Sequence, residues 1–415
     1  HYRDRRQRQM CIRDSYRTTA YQFNNTEHAA NLFGLKEFGN IYSRLGNPTV
    51  GALEARLTAL EDGAMCVALS SGTSAVMYSL INIMSQGDNF VTANQLYGGT
   101  YTMFDNILPE YGINSKKVDI TDFEAVESAI DEKTRAIYCE TITNPGLVVA
   151  DISALADIAH SKGIPLIVDA TFTTSAILKP FEFGADIVVY SLTKWMSGHG
   201  RVIAGAVIEK GGFDWGNGNF PLYDKPDTSY GGMRWGHDLG DLGNVAYSLR
   251  LRTVPLRNLG ANMSPDTAFE VLSGLETLAL RMERHCENAI KAAEYLSGHE
   301  LVEWVRFPGL KDDPAYDLSE KYLKGTGGTM VVFGIKGGKD AGQKFIDNLK
   351  MFRHVANVGD TRSLAIHPAT TTHSQLDEDQ LIEAGSPPEL IRLSIGIEDI
   401  EDIVEDLSQA LESTK

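Results

Sequence analysis

Positive charge is scarce in this sequence. Its 38 Lys and Arg stand against 55 Asp and Glu, a formal net charge of -17, so the broad basic face that nucleic acid or an anionic membrane requires is not expected, and small anions at local positive sites remain as ligands. No apolar run reaches the length needed to span a bilayer, and a soluble, cytoplasmic protein is expected. Cysteine is rare too: Cys11, Cys66, Cys139 and Cys286 are far apart and form no C-x-x-C pair. That argues for reduced thiols in the cytosol rather than disulfides or zinc, with Cys66 and Cys139 serving the core. His199, His237, His367 and His373 lack the H-E-x-x-H spacing, so no metal is expected. Neither the dinucleotide G-x-G-x-x-G nor the G-K-[ST] ending of a nucleotide P-loop occurs. Internal repeats and low-complexity tracts are absent.

What is present is a globular composition, 43% hydrophobic and 22% charged over 415 residues, enough for two or three domains. Residues 1–15 carry five arginines in an otherwise acidic chain and resemble read-through of a sequencing adapter, a non-native leader. Residues 16–46 form a polar arm whose one strand-like alternation is 18–23. From 47 to 245, apolar runs at 65–69, 89–93, 134–141, 164–170, 186–191 and 203–208 alternate with helix-like segments such as 50–60, 76–84 and 153–162. That pattern predicts a mostly parallel sheet covered on both faces, an α/β domain with ligands beyond the carboxyl ends of the strands. Residues 211–236, rich in glycine and aromatics, read as a long functional loop. Residues 246–415 read as a smaller α+β domain with helices at 249–259, 268–296, 341–349 and 400–413 and strands at 329–335 and 391–395.

The predicted strand ends carry chemistry. Ser191-Leu192-Thr193-Lys194 closes an apolar run with two hydroxyls and a lysine. With little water around it, such a lysine loses its proton at modest cost and can condense with an aldehyde, while the hydroxyls hold a phosphate. Ser70-Ser71-Gly72-Thr73, between a strand and a helix, offers backbone N–H groups and a helix dipole to an anion. Asp169 ends another apolar strand, where a carboxylate calls for a cationic or donating partner such as a protonated pyridine nitrogen. Tyr97 precedes Gly98 and Gly99, which would let its ring approach a flat ligand. Arg392 is a charge within a strand pattern, suited to a carboxylate. Taken singly, each has an ordinary reading: an exposed lysine, a tight turn, a cap, a surface tyrosine, an intraprotein ion pair. Together they are the parts that a pyridoxal phosphate enzyme needs.

Tyr42-Ser43-Arg44, Ser71-Gly72-Thr73, Tyr97-Gly98-Gly99-Thr100, Glu140 with Asn144-Pro145, Val168-Asp169, Ser191 to Lys194 with Gly198-His199-Gly200, His367-Pro368 through Thr372-His373-Ser374, and Arg392 to Glu398 follow in one order. They resemble the motifs of the Cys/Met-metabolism pyridoxal phosphate enzymes, from about residue 16 to the C-terminus. The resemblance implies an aminotransferase-like fold type I subunit, a homotetramer built from two dimers with shared active sites, and pyridoxal 5'-phosphate as cofactor. Lys194 would form the Schiff base, Asp169 would pair with the ring nitrogen and Tyr97 would stack on the ring. Ser71, Gly72, Thr73, Thr171, Ser191 and Thr193 would complete the cofactor site, and Tyr42 and Arg44 would reach the phosphate of a neighbouring subunit. Asn144, Ser363 and Arg392 would bind the substrate carboxylate. The stretches 227–232 and 249–265 resemble O-acetylhomoserine sulfhydrylases, implying γ-replacement on O-acetyl-L-homoserine by sulfide or methanethiol. Methionine γ-lyases usually carry a cysteine where this chain has Gly99, and Arg201 stands where sulfhydrylases more often have a small residue. Cystathionine γ-synthase or methionine γ-lyase chemistry, or an inactive oligomeric relative, are the alternatives.

Overall fold

A computed structural model describes residues 15–371, 377, 379 and 385–415. Residues 1–14, including Cys11, and the Thr372-His373-Ser374 part of the histidine motif lie outside the described residues.

The arm contains one helix, α1 (Thr26–Phe33), and the alternation at 18–23 yields only a single bridge, Ala20 to Tyr42. Asn47 then caps α2 (Pro48–Glu61), its side chain accepting from Thr49 N with proline in the first turn. Seven strands follow: β1 (Met65–Leu69), β2 (Asn89–Ala93), β3 (Asn114–Val118), β4 (Thr134–Glu140), β5 (Leu166–Asp169), β6 (Ile187–Tyr190) and β7 (Gly205–Glu209). Their spatial order is β1-β7-β6-β5-β4-β2-β3, parallel except that β7 runs against both its neighbours. Five of the seven were visible as apolar runs flanked by helices, and β1 as a run before the glycine turn. β3 was not: Asn114-Ser-Lys-Lys-Val118 is polar because it is the edge strand. Between strands run α3 (Gly72–Ile81), α4 (Gly98–Thr102) and α5 (Ile152–Ser161).

Beyond the sheet come α6 (Ala246–Leu251), α7 (Pro265–Leu275) and α8 (Leu278–Ser297). The expected single helix over 268–296 is two, broken at Glu276-Thr277. Gly274 lies so close to the Ser197 carbonyl that a β-carbon there would come within 2.3 Å. A second sheet, β10-β11-β12-β9-β8, combines β8 (Val302–Arg306), β9 (Met330–Ile335), β10 (Arg353–His354), β11 (Leu364–Ile366) and β12 (Leu390–Ser394). The helix α9 (Gly338–Asn348) packs on β9 and β12, and α10 (Ile400–Glu412) packs on α8 and α9.

Along α8 the apolar packing passes from one cluster to another. Every residue of α6 is buried and the helix packs on β1 and β7, while α7 packs on α2. Leu278, Met282 and Cys286 on α8 belong to the larger apolar cluster; Ala289, Ala292, Ala293 and Leu296 belong to the smaller one. One helix therefore joins the two cores.

Candidate active site

The carboxyl ends of β1, β4, β5 and β6 open on a cavity of about 250 Å³, closed on its far side by β12 and the loop after β10. Ser71, Gly72, Thr73, Tyr97, Asn144, Asp169, Thr171, Ser191, Thr193, Lys194 and Arg392 all line it. A mostly parallel sheet brings successive strand ends to one edge, which explains how residues up to 123 positions apart in the first domain converge, from Ser71 to Lys194.

Ser71 caps α3 by accepting from Ser74 N at 3.0 Å, so the first N–H groups of the helix face the cavity. Gly72 admits no side chain, since a β-carbon would lie 2.5 Å from Ser191 Cβ. The hydroxyls of Thr73 and Ser191 have no partner among the described residues, whereas that of Thr193 is shared with the backbone of Ala204. Helix N–H groups and free hydroxyls together make a phosphate cradle.

Asp169 Oδ1 accepts from Thr171 N at 2.9 Å, and Oδ2 from the Tyr138 hydroxyl at 3.4 Å. These donors are neutral, and burial pushes the carboxyl above its ordinary value; a cationic ring nitrogen would reverse that shift. Lys194 Nζ donates to Asn357 Oδ1 at 2.5 Å. Burial, and then the positive charge of Arg392, lower its amine to about 8. Tyr97 opens α4 beside them, half exposed. The ring occupies the space above Gly99, where a β-carbon would meet Tyr97 Cε1 at 2.7 Å; the cysteine of the lyase pattern has no room with the ring so placed. Anion cradle, flat stacking surface, unpaired carboxylate and free amine fit the phosphate, ring, nitrogen and aldehyde of pyridoxal 5'-phosphate respectively.

Arg392 Nη1 donates to Asn144 Oδ1 at 2.9 Å, and no carboxylate pairs with it among the described residues. Burial lowers its guanidinium to about 10, partly offset by Tyr97. A buried cation without a counter-ion is a receptor for one.

Three predicted residues lie elsewhere. Ser363 does not line the cavity: its hydroxyl donates to Glu398 Oε2 at 2.9 Å and accepts from Gly396 N at 2.9 Å, committed to the turn that supports β12. Tyr42 and Arg44 stand on the arm, Arg44 over the Tyr42 ring and bonded to the Arg257 carbonyl, away from this chain's own cavity. Arg201 also points away, toward Glu270 at 3.8 Å.

Two contributors escaped the sequence reading. Asn357 holds the lysine amine from a loop with no recognisable motif. Glu140 was noted in a motif but given no role; its Oε1 accepts from Tyr97 N at 2.8 Å, and burial, then the nearby Asp169 charge, push its carboxyl well up. Among the described residues, no group of three or more His, Cys, Asp or Glu is placed to hold a metal, and Cys66, Cys139 and Cys286 are buried free thiols.

Known proteins resemble this chain over nearly its whole length. The chain is 47% identical over 404 residues to an O-acetyl-L-homoserine sulfhydrylase of Leptospira meyeri, covering 96% of this chain and 91% of that one. It is 46% identical over 400 residues to a homocysteine synthase of Schizosaccharomyces pombe, covering 96% and 92%. A solved structure from Campylobacter jejuni, given the provisional name O-acetylhomoserine (thiol)-lyase, superposes with a TM-score of 0.92 at 40% identity, covering 96% of this chain and 95% of that one. That structure contains N'-pyridoxyl-lysine-5'-monophosphate as one of its residues. With the family profile matching residues 2–412, the chain belongs to the Cys/Met metabolism PLP-dependent enzymes.

Proposed function

We propose that this enzyme carries out γ-replacement on O-acetyl-L-homoserine, exchanging acetate for sulfide or methanethiol to give L-homocysteine or methionine. The observation that carries the reading is the line of three charged groups in one cavity, Asp169, Lys194 and Arg392, none with a counter-ion among the described residues. The names borne by relatives at 46–47% identity support the choice of substrate.

Bound there, pyridoxal 5'-phosphate supplies an electron sink for proton loss from the amino acid. Asp169, as a carboxylate, keeps the ring nitrogen protonated. Arg392, oriented by Asn144, takes the substrate α-carboxylate in a charge-assisted pair and so points Cα toward Lys194. Lys194 Nζ, poised at about 8 by its dry surroundings, removes the Cα proton. A second proton leaves Cβ, acetate departs from Cγ, the sulfide or thiolate adds there, and a proton returns to Cβ. Lys194 then returns a proton to Cα. Tyr97 would stack on the bound ring and shield it on that side.

The test is product analysis with O-acetyl-L-homoserine, with and without sulfide. Sulfide-dependent homocysteine with one acetate per turnover is expected; a 2-oxo acid and ammonia formed without thiol would replace this reading by γ-elimination.

Assembly as a homotetramer, a dimer of dimers in which Tyr42 and Arg44 reach the neighbouring subunit's cofactor phosphate, accounts for an arm whose Phe33, Phe38 and Tyr42 are exposed. A cytoplasmic location suits the reaction; no described helix is long and apolar enough to cross a membrane.

A further inference from the structure

We propose that Arg281 is a positioning residue for Lys194: from α8, its guanidinium grips the two carbonyls that follow the lysine and so fixes where the amine points. Arg281 is only 4% exposed. Nη1 donates to the Trp195 carbonyl at 2.7 Å, and Nη2 to those of Met196 at 3.4 Å and Gly274 at 2.8 Å. Nε donates to Thr277 Oγ1 at 3.1 Å. Every acceptor is neutral, and no carboxylate pairs with it among the described residues. Burial accordingly lowers the guanidinium to about 10.

A buried, unpaired arginine is costly, and an apolar side chain would fill the space without that cost. What the guanidinium adds is a planar fork of donors matched to a backbone turn. The turn needs one. Ser197 N bonds the Leu192 carbonyl and Gly198 N that of Lys194, but no backbone N–H among the described residues reaches the carbonyls of Trp195 or Met196. Two glycines make room for the approach. Gly198, at φ +73°, would place a β-carbon 2.1 Å from Arg281 Nη1, and Gly274 one 2.3 Å from the Ser197 carbonyl.

The grip also spans the two cores. Arg281 sits on the helix that joins them, and Thr361 N, from the smaller unit, bonds the Gly198 carbonyl at 2.8 Å on the same turn. Arg281 touches neither substrate nor cofactor in this arrangement. It acts through the backbone of the lysine turn.

The proposal rests on Lys194 being the cofactor lysine. Four purified holoenzymes test it: the natural protein, Arg281→Met, Arg281→Lys and Arg250→Met. Arg250 is the internal control, since it too is buried and bonded to neutral acceptors, but at Asn82 rather than on the lysine turn. Arg281→Met should lower kcat by about 10²-fold, the effect of a misplaced reacting group, with KM unchanged because Arg392 and Asn144 are untouched. The pH midpoint of the bound cofactor's visible absorbance should rise, as a loosened lysine nitrogen is better solvated in its charged form. Arg250→Met should lower Tm alone. If Arg281→Met gives no folded holoenzyme, Arg281→Lys decides, because it keeps the charge without the fork: reduced kcat with a raised midpoint supports the proposal. Wild-type kcat and midpoint in the folded Arg281 variant, with only Tm reduced, would overturn it. The absorbance readout stands whether or not O-acetyl-L-homoserine proves to be the substrate.

Discussion

Where the strands of the large sheet begin, three aspartates have found cationic or donating partners. Arg135, next to the start of β4, binds Asp88, just before β2, at 2.8 Å with both side chains buried. Asp131 takes Lys116 at 2.6 Å and Asn89 at 2.9 Å, and Asp186 takes His160 at 2.8 Å and Leu166 N at 2.9 Å. Where the strands end, Lys194 rests on an asparagine, Asp169 on a backbone N–H and a phenol, and Arg392 on an asparagine. The same sheet thus carries ion pairs such as Arg135–Asp88 and Lys116–Asp131 at one edge, and at the cavity three charged groups with only neutral partners. The Arg135–Asp88 pair is as buried as the cavity's charges, so burial alone does not separate the two edges; what differs is where the counter-charge comes from. At one edge the chain supplies it, and at the other a cofactor and a substrate must.

That contrast is broken most severely at the lysine. Lys194→Ala should lower turnover by about 10⁴-fold or more while leaving cofactor bound noncovalently, read as retention of cofactor after desalting beside a steady-state assay. Asp88→Asn makes the opposite edge resemble the cavity. Leaving Arg135 buried and unpaired should cost about 3–5 kcal/mol of stability in denaturant unfolding, with kcat per folded subunit unaltered. Arg392→Gln should cost about 2–5 kcal/mol in kcat/KM for the amino-acid substrate, with stability kept or improved, because the buried charge had no protein counter-ion to lose. Tm and steady-state kinetics on one preparation separate the two outcomes.

The smallest effect is a matter of pH. With its amine lowered to about 8, Lys194 is protonated below that value and cannot condense; borohydride trapping of pyridoxal phosphate on the apoprotein should rise through about pH 8 to a plateau. Across the window from about 8 to the ordinary 10.5, the unfolded chain holds this proton more tightly than the folded one, so this lysine's contribution makes the apoprotein more stable as pH rises. Asn357→Asp would place a carboxylate against the amine and shift the trapping midpoint up by about one pH unit or more. An unshifted midpoint would mean that Asn357 does not hold the amine in solution.

How much of this was legible beforehand depends on how far each group travels to reach the site. Gly72, Asp169 and Lys194 could be placed together because alternating strands and helices imply a parallel sheet, and such a sheet puts strand ends on one edge. Asn357 reaches Lys194 across 163 residues from a loop without motif, so nothing local marks it. Arg281 left a fainter trace. With His285, Asn288 and Ala292 it repeats at helical spacing on one face of α8, and these four are buried although three of them are polar. Ser363 was legible as a motif residue, while the bonds of its hydroxyl to Glu398 and Gly396 were not, because they form across 33 to 35 residues.

The sequence by itself determined the alternation that makes the large domain, the residue types at its strand ends, and the order of motifs that marks the family. Periodicity and strand-end chemistry are local properties, set within a few residues. The tertiary structure alone decided that the packing divides within α8, that the Tyr97 ring fills the space over Gly99, and that Arg281 and Asn357 bear on the lysine. Those depend on surfaces meeting from opposite ends of the chain, where close packing rather than pattern selects the neighbour.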